Sequence, residues 1–277
     1  MTVSSADVAK LRKVTGAGMM DCKEALTATN GDFDEAIDFL RKKGQKVSSK
    51  RADRDATEGV IVAKIADDKK YGVLVEVCCE TDFVAKNSDF IAFVNKIADA
   101  ALQYRPDTIE ALSQLPSGNV KVSDLVDEQL AKIGEKIAIT SFRYISAELV
   151  VPYIHMGNKI GVLVALNKGG DEKLVLAGKD VAMQIAAMNP VAVDPSQISQ
   201  DIVNHELSIA IEQVKQEGKP ENMIEKIAQG KLQKFFKENT LLSQPFVKDA
   251  TKSVEDFIKQ TDKDLKVNAF IRIAITA

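Results

Sequence analysis

Nucleophiles, general bases and metal ligands are sparse in this chain. The two histidines, His155 and His205, lie too far apart to suggest a metal site and would join a catalytic triad only by coincidence. Cys22, Cys78 and Cys79 include at least one unpaired thiol, which points to a reducing cytoplasm. Cys78 and Cys79 are adjacent in a β-rich run, so their side chains face opposite ways and cannot easily share one ion. At least one of them reads as a small buried hydrophobe. The chain has no G-x-x-x-x-G-K-[ST] phosphate loop, no G-x-G-x-x-G after a strand, no C-x-x-C and no G-x-S-x-G. Gly157 and Gly161 belong to a hairpin. Carboxylates abound, but spacing singles out no pair. Lys and Arg total 37 against 40 Asp and Glu, a net charge of −3, where a phosphate-binding surface calls for a basic excess. No apolar run is long enough for a membrane span, and the N-terminus carries no stretch of signal-peptide type. These absences favour a binding protein over an enzyme, with no cofactor or metal of its own, no direct nucleic-acid contact and no membrane.

Two segments could make a specific contact. Thr15-Gly16-Ala17-Gly18-Met19-Met20-Asp21-Cys22 is a flexible turn followed by two large, soft apolar residues. Consecutive side chains at a helix start point about 100° apart, so one methionine can be core while the other faces a partner. Cys79-Glu80-Thr81-Asp82-Phe83-Val84-Ala85-Lys86-Asn87 joins a strand to a helix. On the residues alone, Phe83 reads either as a staple onto that helix or as an exposed probe. Asp82 alone reads as a cap.

Three short helices precede these segments or contain them. Ser4 or Ser5 caps the first, whose stripe is Val8, Leu11 and Val14. The second spans about 19–29 and stops at Asn30-Gly31. The third opens at Asp32, carries Phe33, Ile37 and Leu40, and is expected to end at Gly44. Residues 45–57, QKVSSKRADRDAT, read as an exposed linker. The period then changes to that of strands. Runs 59–66 and 71–79 form a hairpin, with a helix after Asn87 bearing Phe90, Phe93, Val94, Ile97, Ala101 and Leu102. A helix over 123–135 and a strand over 137–145 follow. A second hairpin, 149–155 with 160–166, leads into a helix over 171–188. Helices 196–216 and 220–238 pair around Gly218-Lys219-Pro220. A short helix capped by Ser253 precedes the last strand, 268–275. The fold class is α+β, with an all-helical N-terminal module and a helical hairpin inserted late. The blocks 59–104 and 149–188 share an outline, which hints at internal duplication. The hairpin carries more apolar surface than two helices need for each other. The excess either packs on the core near Phe246 or meets a second copy.

The stretches TGAGMMDCKEAL (15–26) and TDFVAKN (81–87) resemble the bacterial elongation factor Ts family, guanine-nucleotide exchange factors for elongation factor Tu. The resemblance continues through AKIGEKI (131–137), YIHMGNKIGVLV (153–164), GKPENMIEKIAQGKLQKF (218–235) and QPFVKD (244–249), in the family's order. It implies a ubiquitin-associated-like domain and linker over 1–56. It also implies core subdomains with antiparallel sheets over 57–147 and 148–277, with a hairpin inserted at about 190–237. By resemblance, Thr81, Asp82, Phe83 and Val84 enter the nucleotide-binding domain of elongation factor Tu and dislodge Mg²⁺. Gly18, Met19 and Met20, and the turn Ile133-Gly134, are then contacts to that domain, and His155 touches another. The other reading of His155, from its residues alone, is a lone half-buried histidine hydrogen-bonded in a sheet. The resemblance also implies a possible weak homodimer through the hairpin, and a cytoplasmic location. Some members continue past the last strand with a helical module, and the contact it adds is expected to be missing here. The rival reading is a scaffold or chaperone adaptor that uses the N-terminal module without kinetic consequence.

Overall fold

A computed structural model describes residues 3–50 and 54–275. The N-terminal helices are α1 (Ser5–Thr15), α2 (Met19–Ala28) and α3 (Phe33–Lys50). Ser4 caps α1 by accepting from the Asp7 N–H at 3.1 Å, and Gly16, at φ 69°, ends it. Val8, Leu11, Cys22, Ala25, Leu26, Ala36 and Leu40 form the module's interior. Val14 was expected in that stripe but is 66% exposed, because it lies about 120° round the helix from Val8. Asn30 and Gly31 both take positive φ and stop α2 as expected.

Gly44 does not end α3, which runs on to Lys50. A Cβ at Gly44 would stand 3.0 Å from the Asp127 carbonyl oxygen and 3.2 Å from the Ala131 Cβ. The glycine therefore permits close approach of another helix and does not terminate its own. The expected linker shrinks accordingly: residues 45–50 are helical, Arg51–Asp53 lie outside the described residues, and a strand begins at Glu58.

The next part contains β1 (Glu58–Ile65), β2 (Tyr71–Cys79), α4 (Asp82–Ala85) and α5 (Ser88–Tyr104). It continues with α6 (Ile109–Gln114), the small hairpin β3 (Pro116–Ser117) and β4 (Val120–Lys121), α7 (Val122–Ile133) and β5 (Ile137–Ser146). The sheet is antiparallel in the order β1-β2-β5. Phe90, Phe93, Val94 and Ile97 of α5 cover Val60, Val62, Val73, Val75 and Val77. The other face is also buried, which is why β2 reads as an almost unbroken apolar run.

The last part contains β6 (Leu149–Ile154), β7 (Ile160–Leu166) and α8 (Glu172–Met188), then the paired helices α9 (Gln200–Gln216) and α10 (Glu221–Asn239). The hairpin β8 (Pro245–Phe246) and β9 (Asp249–Ser253), α11 (Val254–Thr261) and β10 (Val267–Ala274) complete it. Ser253 and Asp256 form a reciprocal cap on α11. This sheet is ordered β6-β7-β10, so both sheets have a hairpin, a helix and then a third strand beside the hairpin's second. The two sheets meet through Ile61 and Leu74 on one side and Val150, Leu163 and Ile273 on the other. Gly161 allows that approach, since a Cβ there would meet Ile61 Cγ2 at 2.5 Å. Ala210, Val214, Ala228 and Leu232 are buried along α9 and α10, while Ile202, Ile209 and Met223 stay exposed. Phe246 is not their cover: it stacks on Phe257 at 4.3 Å within the core of the last sheet.

Candidate functional site

The segment after β2 folds into a single helical turn. Thr81 is its N-cap, with its hydroxyl 3.5 Å from the Val84 N–H that it accepts from. Four residues cannot sustain a helix unaided, so other contacts must hold α4 in place. Two carboxylates do so. Glu135 accepts from the Thr81 N–H at 3.0 Å and from the Thr81 hydroxyl at 2.8 Å. Glu80 accepts from the Lys136 N–H at 2.6 Å and from the Arg54 guanidinium at 3.0 Å. The Lys136 ammonium in turn donates to the Arg54 carbonyl at 2.6 Å.

On this fixed turn, Val84 and Ala85 pack inward against the first sheet's core. Phe83 points the other way and is 84% exposed, so the staple reading is overturned. A one-turn helix whose inward face is taken by Val84 and Ala85 has no room left beneath it for an aromatic ring. Asp82 pairs with Lys86 at 2.6 Å, and that hydrogen bond holds its carboxyl below the ordinary carboxylate range. Beneath the turn, Cys79 Sγ donates to the Thr81 carbonyl at 3.3 Å. Burial pushes the Cys78 thiol up to about 11 and the Cys79 thiol up to about 12, so neither is a nucleophile at neutral pH.

The other candidate residues gather around this turn by a chain of contacts. Gly134, at φ 79°, ends α7 and delivers Glu135 to Thr81, so the Ile133-Gly134 turn is tied directly to the Phe83 segment. One residue earlier, the Lys132 side chain lies against Gly16, where a Cβ would meet it at 3.2 Å. That places the α1–α2 turn beside the end of α7. Gly18 caps α2, and Met19 and Met20 open it with 55% and 74% of their surface exposed. The hydrogen bond that Lys86 donates to Asp82 raises the Lys86 pKa most, and the charge of Glu58, which on the far side pairs with Lys159, adds a smaller rise. The β6–β7 turn therefore sits at the same end of the first sheet. His155 stands in it, exposed rather than half-buried, with Nδ1 3.0 Å from the Tyr153 hydroxyl.

Glu80, Glu135, Arg54 and Lys132 were missed in the sequence, because the contacts that matter span dozens of residues. The one signal was the position of Glu135 directly after Gly134. Among the described residues, no cluster of three or more His, Cys, Asp or Glu could hold a metal ion. What remains is an exposed aromatic on a stapled turn, with exposed methionines and an exposed histidine on segments linked to that turn through Lys132 and Lys159. That surface can wedge and dock.

The family described as Elongation factor TS matches residues 80–277. The chain is 50% identical to an elongation factor Ts of Amoebophilus asiaticus over all of both chains. It is 50% identical to one of Christiangramia forsetii, covering 99% of this chain and 98% of that one. It is 44% identical to one of Porphyromonas gingivalis over the whole of both.

Proposed function

The chain belongs to the elongation factor Ts family, and from that premise we propose that Thr81, Asp82, Phe83 and Val84 form the wedge with which it ejects GDP from elongation factor Tu. It is a translation elongation factor that acts as a nucleotide exchange factor. No helix among the described residues is long and apolar enough to cross a membrane, and we place its action in the cytoplasm. Gly18, Met19, Met20, Ile133, Gly134 and His155 are the proposed docking contacts around the wedge. The boundaries we propose are 1–56, 57–147 and 148–277.

The observation that carries the reading is Phe83, 84% exposed on a turn that two carboxylates hold fixed. A GTPase holds GDP through a phosphate loop and a bridging Mg²⁺. An exchange factor must favour the empty, opened pocket over the filled one, since equal affinity for both shifts nothing. An aromatic ring that fits only between separated side chains supplies that preference. Dislodging Mg²⁺ then leaves the phosphate charges uncompensated and loosens the nucleotide further. By linkage, whatever factor the protein removes from GDP affinity, GDP removes from the protein's own affinity, so incoming nucleotide can expel it. No covalent bond changes, so the exchange is not enzymatic in the chemical sense. The test is the release rate of labelled GDP from elongation factor Tu with and without the chain. An unchanged rate would remove the reading and leave a binding adaptor.

The exposed Ile202, Ile209 and Met223 support a second, separate proposal, a weak two-fold contact between hairpins of two copies.

A further inference from the structure

The two halves close their sheets with the same device. In the first, Glu80, directly after β2, accepts from the N–H of Lys136, directly before β5. In the second, Asn167, directly after β7, accepts at 2.7 Å from the N–H of Lys266, directly before β10. That shared tie belongs to the frame. One residue earlier the halves differ: Glu135 stands in the first and Leu265, 3% exposed, in the second. Leu265 joins its core. Glu135 instead takes both donors of Thr81, the cap of the turn that bears Phe83. The second half's own extra bond, from the Asn167 amide to the Asp264 carbonyl at 2.9 Å, stays within the frame, whereas the pair that grips a turn cap falls in the half that carries the exposed aromatic.

We propose that Glu135 is a positioning residue for exchange: by holding Thr81 at two points it fixes the direction of Phe83 and joins the Phe83 turn to the Ile133-Gly134 turn as one rigid body. The inference rests on the exchange reading above. Without Glu135, α4 keeps its inward anchors Val84 and Ala85 but loses the restraint on its first residue. Phe83 then samples many directions, and only a fraction of docked complexes present it to the partner. Docking through Gly18, Met19, Met20 and His155 does not pass through Glu135 and proceeds as before. The expected signature is a loss in the maximal exchange rate with little change in the concentration needed to saturate it.

The experiment measures release of fluorescent GDP from elongation factor Tu across a range of full-length protein concentrations. Wild type must accelerate release and Phe83→Ala must slow it. Failure of either sinks the exchange reading or the wedge assignment, and is seen before Glu135 is tested. Glu135→Ala should lower the maximal rate at least fivefold and leave the half-saturating concentration within twofold. Adding Phe83→Ala to Glu135→Ala should cost less than Phe83→Ala costs alone, because both changes remove one function. Asn167→Ala, which cuts the frame tie of the other half, should lower the melting temperature without changing the maximal rate. If Glu135→Ala does not fold, Glu135→Gln keeps the side chain's length but leaves a single acceptor oxygen for the two Thr81 donors, and should lower the maximal rate in the same direction. An unchanged maximal rate, a loss confined to half-saturation, or strictly additive losses with Phe83→Ala would overturn the proposal.

Discussion

Replacing Phe83 by alanine should separate stability from exchange. The ring is 84% exposed, so its removal takes little from the folded state. Exposed substitutions shift stability by about 0.5 kcal/mol or less, against about 3–5 kcal/mol for deleting a buried Phe. The cost in exchange is larger. Burying a Phe side chain in a partner is worth about 1.5–3 kcal/mol. If that burial is realised only as the nucleotide pocket opens, the whole amount appears in the release rate. At about 1.4 kcal/mol per tenfold, the rate should fall roughly 10- to 100-fold. The fluorescent-GDP assay reads this directly, and a thermal melt of the same sample reads stability. In domains of 150–250 residues, about 1 kcal/mol moves the melting temperature by roughly 2–4 °C. A shift under about 2 °C with a strongly slowed release is therefore expected. A melting temperature lower by about 10 °C, or an unchanged release rate, would refute the reasoning.

Met19 and Met20 are exposed at the start of α2, so replacing both by alanine should raise the half-saturating concentration in the same assay while the melt stays in place. An unchanged half-saturation would remove them from the docking surface. Gly44→Leu forces a side chain against the Asp127 carbonyl and should cost about 1–3 kcal/mol of overpacking, felt as faster hydrogen exchange in α3 and α7. Unaltered protection there would mean that the two helices do not rest on each other. Burial raises the Cys78 and Cys79 thiols from 9.0 to about 11 and about 12, so the folded state keeps protons that the unfolded chain releases. Their contribution to stability is complete below pH 9 and is lost as pH rises through 11 and 12, and neither thiol should be alkylated at pH 8 until denaturant is added. Rapid labelling of the native protein would count against that burial. For the hairpin, sedimentation at rising concentration should show mass above 30.2 kDa, reduced by Ile202→Asp with Ile209→Asp, and a fixed mass would end the dimer proposal.

What the sequence made legible was local. The hairpin strands, α8 and the Ser253 cap were placed within a few residues, because alternation, helical period and capping are written in neighbouring positions. Gly44 misled because a glycine that stops a helix and one that admits another helix look alike until the partner, α7, is known. Residues 105–121 were left unassigned, since a six-residue helix and a two-residue hairpin carry too short a pattern to read. Phe83 was ambiguous for a different reason: an aromatic after a strand is a staple or a probe depending on what already fills the space beneath. Val84 and Ala85 fill it, and only three-dimensional packing says so. The Thr81–Glu135 contact spans the whole of α5, α6 and α7, which no periodicity can reveal.

The repeated frame explains why one chain can be both rigid and specific. Each half ties the end of its hairpin to the start of its third strand, at Glu80 and Lys136 in one and Asn167 and Lys266 in the other. The segment that follows each tie is then free to differ. In the second half it is Lys168-Gly169-Gly170 before the Asp171 cap of α8, where a Cβ on Gly169 would strike the Glu148 carbonyl at 2.7 Å. That connection passes close to the Glu148 backbone and carries no aromatic side chain. In the first half the same stretch spends residues on a turn that lifts Phe83 into solvent. The frame alone cannot aim that turn, because its tie ends at Glu80, before Thr81. Two further hydrogen bonds from Glu135 start where the frame stops. An exposed ring on a one-turn helix would otherwise lose its bias toward any single direction, and with it the preference for an opened pocket that exchange requires.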